Sequence, residues 1–389
     1  MIIEIRQAGF VNKGAELMLH AIVEKLRARY PDAKLTMAPI FGGAQDTFEK
    51  MRALNLYPKA WFWHRGIDFG EFAKWVPKGF LKVHGMVTNQ EIDVVLDAAG
   101  FAYSDQWGVA NCRELSLSSR KWARQGTKLI LLPQALGPFS SRTMQKNVRT
   151  WAGNADLIFA RERDSYDYLT AVVGEQEKIA LAPDFTNLLS GALPPGFDTS
   201  DKQVAIVPNY RMVDKTDAKE SAAYLPFLVE ATRFFKEQGA HPFLLIHEGA
   251  DDRALADRVV QAVGEVPIVR ETNPIFIKGI LGACRATLGS RFHGLVSALA
   301  QGVPSLATGW SHKYQRLFED YEFPEGCISA TEDPAQLREK LARLLDPAAS
   351  SELRATLCAR AEVLKARSEV MWQQVFACID DKSAEARPR

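Results

Sequence analysis

The chain is predicted to be an α/β protein built from two doubly wound, Rossmann-like domains. Three observations lead there. Its 389 residues exceed what one hydrophobic core organises, about 100–200 residues being the usual domain size. Short apolar runs alternate with helical periodicity along most of the sequence, and the alternation stops once and restarts. In the first series, IIEIRQA is a short apolar strand, and Gly14 to Tyr30 carries Leu17, Ala21 and Leu26 at helical spacing. KLTMAPI follows as a strand. IDVVLDAAG, TKLILLPQAL and ADLIFARE are further buried strands ending in small or polar residues, with helices such as Asn111 to Gly126 between them. Near-continuous apolar strands separated by helices are the pattern of a parallel sheet.

The break is SGALPPGFDTSDK, Ser190 to Lys202, where Gly, Pro and Asp cluster without periodicity. It sets an N-terminal domain over 1–190, a linker over 191–202 and a C-terminal domain over 203–350. The second series runs QVAIVPNY (strand), Tyr224 to Gln238 (helix), HPFLLIHE (strand), Asp251 to Val263 (helix) and PIVRE (strand). A C-terminal helix and tail over 351–389 are long enough to return to the first domain. Two such domains meeting at the carboxyl ends of their strands resemble the GT-B architecture of glycosyltransferases, in which ligands lie in a central cleft.

Composition narrows the function classes. A net charge of +1 argues against a nucleic-acid binder that relies on overall charge, so any anion site is local. MIIEIRQAGF lacks the basic start and longer apolar run of a secretory signal. No apolar segment approaches the roughly 18 residues of a membrane span. Five scattered cysteines, Cys112, Cys284, Cys327, Cys358 and Cys378, are not in metal-ligand spacing and suit a reducing cytoplasm. Neither disulfides nor zinc are expected.

The segment from Leu288 to Pro304, LGSRFHGLVSALAQGVP, carries the chemistry. Ala286 to Ser290 reads as strand into turn, and Gly294 to Gln301 as a helix closed by Gly302 and Pro304. Arg291 and His293 then sit on a strand-to-helix loop, where free N–H groups and the helix dipole favour an anion. A guanidinium adds a bidentate partner for carboxylate or phosphate. Gly294 would let the anion approach the backbone, and an imidazole is suited to proton transfer near neutrality. An interdomain ion pair for Arg291 and a satisfied, half-buried His293 are the competing reading.

SRFHGLVSALAQGVPSLA, followed by Lys313 and Tyr314, resembles the C-terminal signature of the polysaccharide pyruvyl transferases. NKGAELML resembles that family's Asn-x-Gly loop, AAGFAYSD its glycine turn, LLPQALGPF its Gln-x-x-Gly-Pro turn, RERDSYDYL its Arg-Asp segment and LAPDFTNLL its Pro-Asp strand end. The order is kept over roughly residues 3 to 320. Ala98 and Ala99 depart from frequent glycines, and Ala15 from a frequent acidic residue. The resemblance implies transfer of pyruvate from phosphoenolpyruvate to two hydroxyls of one sugar, giving a cyclic ketal and phosphate, in exopolysaccharide or cell-envelope synthesis. It implies no cofactor beyond phosphoenolpyruvate as co-substrate.

A donor with a carboxylate and a phosphate needs cations at fixed separation. On the C-terminal side, Arg291 and His293 are the catalytic candidates, His293 as general acid. Ser290, Gly294, Arg211, Lys313 and His247 are the donor-binding candidates, with a solvated arginine and an exposed lysine as the alternatives for Arg211 and Lys313. His247, Glu248 and Asp251 in HEGAD also allow a weak metal reading, and no metal is expected to be required. On the N-terminal side, Asn12, Lys13, Glu16, Gly100, Asp105 and Gln134 are the acceptor-binding candidates, against helix capping and surface solvation. Arg163 with Asp164 reads as an ion pair fixing a loop.

Residues 57–86 concentrate Trp61, Phe62, Trp63, Phe69, Phe72, Trp75 and Phe80 among Lys59, Arg65, Lys74, Lys78 and Lys82. Tryptophans with lysines favour a membrane interface, which would suit a lipid-linked sugar acceptor at the inner face of the plasma membrane. An interdomain or oligomer contact and stacking on a sugar ring are the alternatives. Two further functional readings stay open: a GT-B glycosyltransferase with a nucleotide-sugar donor, and a non-catalytic glycan-binding protein.

Overall fold

A computed structural model describes residues 1–39, 46–60, 63–64, 67–68, 70, 73, 75–247 and 249–381. The chain divides into two compact units, one of Met1–Phe185 with the residues from Arg367 onward, the other of Thr186–Ala366.

The first unit contains β1 (Ile2–Arg6), α1 (Lys13–Arg29), β2 (Lys34–Met37), α2 (Thr47–Ala53), β3 (Leu56–Pro58), a two-strand hairpin of β4 (Trp63–His64) and β5 (Ile67–Asp68), α3 (Lys78–Val83) and β6 (Val94–Asp97). It continues with α4 (Val109–Gln125), β7 (Lys128–Gln134), α5 (Arg142–Asn154), β8 (Leu157–Ala160), α6 (Arg163–Val173) and β9 (Ile179–Leu181). Seven strands form one sheet in the order β3-β2-β1-β6-β7-β8-β9, all neighbours parallel. β6 and β7 are buried along almost their whole length, as a sheet covered by helices on both faces requires. Chain order reverses between β1 and β6, and this switch point is where an open parallel sheet leaves a crevice at its strand ends.

The second unit contains β10 (Val204–Val207), α7 (Arg211–Asp214), α8 (Ala218–Glu237), β11 (Pro242–Ile246), α9 (Gly249–Val263), β12 (Ile268–Arg270), α10 (Pro274–Ala283), β13 (Ala286–Gly289), α11 (Phe292–Leu299), β14 (Ser305–Ala307), α12 (His312–Asp320) and α13 (Pro334–Leu345). Its parallel sheet runs β12-β11-β10-β13-β14, with the switch between β10 and β13. α14 (Pro347–Asp380) contributes its first residues to this unit and its last to the first unit. In that last part Trp372 meets Phe185 edge-on at 5.9 Å, and Lys128 donates to the Cys378 carbonyl at 2.7 Å.

The expected linker, 191–202, differs from an unattached segment. Its start is stitched to the second unit: Ala192 N donates to Ile275 O at 3.2 Å. A Cβ on Gly279 would lie 2.0 Å from Ala192 O, so two backbones approach here as only glycine allows. The compact units accordingly meet in sequence after Phe185, ahead of the Pro- and Gly-rich stretch.

Candidate active site

The expected segment from Leu288 onward forms the carboxyl end of the second unit's sheet. β13 ends at Gly289, and α11 begins at Phe292, two residues before the helix read from the sequence. Arg291 is its N-cap residue, extended at φ −104° and ψ 114°, and its carbonyl accepts from Leu295 N at 2.9 Å. The connection is thus tighter than expected, and His293 stands in the first helical turn. At the other end, Gly302 adopts φ +71° and Val303 N donates to Ala298 O, the glycine-terminated ending that frees the chain for β14.

A buried polar frame holds this connection in place. Asn209, just past β10, donates through Nδ2 to the Ser290 carbonyl, and the Tyr314 hydroxyl donates to the same carbonyl at 2.9 Å. The Tyr224 hydroxyl accepts from Asn209 N and donates to Ser290 Oγ, both at 3.0 Å. Ser290 Oγ also lies 2.7 Å from Thr308 Oγ1. Ser290 is therefore spent on the frame that positions its neighbours. Burial pushes the Tyr224 hydroxyl up to about 12 and Tyr314 well above the ordinary tyrosine value, so both serve as neutral hydrogen-bonding groups.

Around this frame the structure gathers most of the donor-side candidates. The Arg291 guanidinium engages Asp252 of α9, Nε at 3.1 Å and Nη2 at 2.5 Å from Oδ2. His293 packs edge-on to Phe292, ring centres 5.5 Å apart. Lys313 is 8% exposed, unlike a surface lysine: its Nζ lies 4.3 Å from the Trp310 ring centre and 5.3 Å from that of Phe292, an ammonium–aromatic arrangement contributing about 0.5–2 kcal/mol per contact. His247, past β11, is buried, and its Cδ2 would lie 3.8 Å from a Cβ placed on Gly294. The atoms around Gly294 stand at 3.5 Å or beyond from that Cβ, so glycine is not demanded by space here. Arg211 lies apart in character, exposed at the start of α7 and paired with Asp214 at 2.5 Å. Asp251 is exposed while Asp252, one position on, turns inward: helical geometry sends adjacent side chains about 100° apart. Glu248 lies outside the described residues. Among those described, no group of three or more His, Cys, Asp and Glu is placed to hold a metal ion.

In the first unit, several acceptor-side candidates carry structural bonds. Asn12 caps α1, its Oδ1 accepting from Ala15 N at 3.1 Å. Glu16 is buried beside Lys13, at 2.5 Å, and Lys50, at 3.5 Å. Asp105 accepts from Ser140 N at 2.7 Å, tying two loops together. Gly100 adopts φ +66°, as the turn reading requires. Gln134 is fully buried and donates to Asp97 at 3.4 Å. Arg163 is exposed and pairs with Asp167 at 2.9 Å, not with Asp164 as expected, because i,i+4 positions share a helix face.

The sequence reading missed two ionic clusters at these strand ends. Arg6, closing β1, pairs with Asp97, closing β6, at 2.9 Å, and with Glu114 of α4. The Tyr103 hydroxyl donates to Asp97 at 2.8 Å. Burial pushes the Asp97 carboxyl up, against the pull of Arg6. Burial also opposes ionisation of Glu114, but the Arg6 charge and its hydrogen bond hold that carboxyl below its ordinary 4.5. Further along the sheet, buried Arg161 and Asp184 pair at 3.2 Å. Charges at the ends of apolar strands were a sequence signal for both clusters, and Arg161 and Asp184 also fall in the segments RERDSYDYL and LAPDFTNLL.

The two units together define a class, proteins of two parallel Rossmann-like lobes with GT-B-like architecture. Solved structures share it: UDP-GlcNAc 2-epimerase of Neisseria meningitidis bound to UDP-GlcNAc (TM-score 0.59, 8% identity, 97% of this chain and 99% of that one), MnaA of Staphylococcus aureus with UDP (0.60, 10%, 97% and 96%), and HepE of Anabaena with UDP and glucose (0.57, 12%, 97% and 98%). At such identities the likeness concerns the fold. The family model for polysaccharide pyruvyl transferase matches residues 12–312. The chain belongs to that family, and its activity is pyruvyl transfer from phosphoenolpyruvate.

The Arg6 cluster predicts a pH-dependent stability. Because the folded-state pKa of Glu114 is depressed, its contribution is present above the unfolded value near 4.5 and lost as pH falls through the lower folded value. Glu114→Gln should cost about 1.5–3 kcal/mol at pH 7, the range for hydrogen bonds to charged groups. Denaturant unfolding of both proteins at pH 7 and in acid should show that difference shrinking below pH 4.5.

Proposed function

We propose that the carboxyl ends of β10 and β13 hold phosphoenolpyruvate, with Arg291 and Lys313 as the cations facing its carboxylate and phosphate, the first turn of α11 supplying N–H groups, and His293 moving the proton. The observation that carries this reading is the convergence of Arg291, His293, His247 and Lys313 around one frame at a topological switch point, the place where open parallel sheets bind ligands. The exposed Arg211 at the start of α7 is the second arginine of this reading, paired with Asp214 in the structure.

The chemistry follows from the groups required. Protonation of the donor's methylene carbon makes it a methyl group as a sugar hydroxyl, losing its proton, bonds to the adjacent carbon. Phosphate then leaves that carbon, and a second hydroxyl of the same sugar closes the ketal and releases its own proton. His293 supplies the proton to the methylene or to the departing phosphate, and Arg291, Lys313 and the helix N-terminus stabilise the charge that develops on phosphate. The acceptor is a sugar of a polysaccharide. We place acceptor binding on the first unit, at Gly100 and the Lys13–Glu16 pair, and read the acceptor as lipid-linked and the enzyme as working at the cytoplasmic face of the plasma membrane. The support is the aromatic and basic stretch over 57–86. Within it Lys59 is buried against Glu4, and Trp61, Phe62, Arg65, Phe69, Phe72 and Lys74 lie outside the described residues, but Trp75, Phe80 and Val83 are exposed.

Phosphate release from phosphoenolpyruvate in the presence of candidate glycans tests the donor assignment. His293→Ala should lower it by about 10²–10⁴-fold, the usual worth of a general acid. Full turnover by that variant, or turnover only with a nucleotide sugar, would overturn the assignment. For the membrane, Trp75→Ser/Phe80→Ser/Val83→Ser should abolish co-flotation with anionic liposomes, and undiminished flotation ends the idea.

A further inference from the structure

We infer that Asp252 is a positioning residue for donor binding, a single carboxylate that sets the spacing of the two arginine-bearing loops. This rests on the proposed role of Arg291. Asp252 lies in the first turns of α9 and is 1% exposed. Its Oδ2 accepts from Nε and Nη2 of Arg291, past β13, and its Oδ1 accepts from Tyr210 N at 2.9 Å, past β10. Tyr210 adjoins Arg211, whose own N–H donates to Asn209 Oδ1 at 3.0 Å. From the helix after β11, Asp252 therefore reaches the connections that follow the two neighbouring strands in the order β11-β10-β13.

A buried carboxylate is a poor way to stabilise a fold, because desolvation consumes most of what the ion pair returns. Beside a cation meant to attract a multiply charged anion it also weakens that attraction at long range. Both costs make sense where geometry matters more than charge. Arginine has many rotamers, and a carboxylate across Nε and Nη2 fixes the plane of its fork before the ligand arrives. A donor with two anionic groups at fixed separation rewards that fixation in the backbone carrying Arg211 as well.

The two views give opposite signs for Asp252→Asn. If Asp252 acted only through its charge, its removal would raise the local positive potential and lower KM for phosphoenolpyruvate. Positioning predicts that KM rises and that kcat/KM for phosphoenolpyruvate falls by about 10²-fold, the scale of a misplacement near 1 Å, while KM for the glycan acceptor stays unchanged. Asp252→Glu keeps the charge and the pairing and should fall between wild type and Asn. It also carries the test if the Asn variant does not fold, which circular dichroism and thermal melting reveal. In an Arg291→Lys background, adding Asp252→Asn should cost clearly less than its effect in the wild type, because the part of its role that runs through Arg291 is already lost while the bond to Tyr210 N remains. Wild-type or lower KM for phosphoenolpyruvate in Asp252→Asn, or independent multiplication of the two effects, overturns the inference. An Arg291→Lys enzyme with unaltered KM for phosphoenolpyruvate would instead sink the donor assignment itself.

Discussion

The bond from Asn209 to the Ser290 carbonyl is the constraint on which the connections after β10 and β13 depend. β10 and β13 are paired through Val207 and Gly289, and Ser290 N still donates to Val207 O at 3.2 Å. Beyond that point the two chains part, one into α7 and the other into α11. At a switch point this divergence is what opens a crevice. The side chains of Asn209, Tyr224 and Tyr314 tie the two connections together with hydrogen bonds, so that Arg291 and His293 leave a fixed base.

The same solution recurs at the other switch point with charges in place of neutral groups. Arg6 and Asp97 join the ends of β1 and β6, and Tyr103, Gln134 and Glu114 complete the partners. Buried polar groups are tolerable only when each is paired. Lys59 and Glu4 add a second pair, 2.7 Å apart and nearly inaccessible. Such clusters specify the strand ends more than they stabilise them, since an ion pair inside a protein returns little net free energy.

The strands VVLD, VAIV and PFLLI were legible because parallel strands buried on both faces show as near-continuous apolar runs, and IIEIR was legible despite the buried charges Glu4 and Arg6. The three-residue β14 carries too little pattern to be read, although the equally short β12 was read within PIVRE. Arg291, His293 and Lys313 were named from a contiguous motif, whose residues the chain keeps near one another by itself. Asp252 was missed in favour of its neighbour Asp251, because one helical step decides between solvent and interior and the sequence alone does not fix the phase of α9. Gln134 and Asn12 were named as acceptor candidates, and in the structure their side chains bond Asp97 and cap α1. Capping and binding call on the same short polar residues, and only the partner atom tells them apart.

The central claim concerns where the donor sits. A crystal structure of the enzyme soaked with phosphoenolpyruvate tests it most directly. The account predicts carboxylate or phosphate oxygens within hydrogen-bonding distance of Arg291 and near Lys313, with His293 beside the reacting carbons and the first turn of α11 facing the anion. Phosphoenolpyruvate bound elsewhere, with no anion at Arg291 or at the first turn of α11, would contradict it.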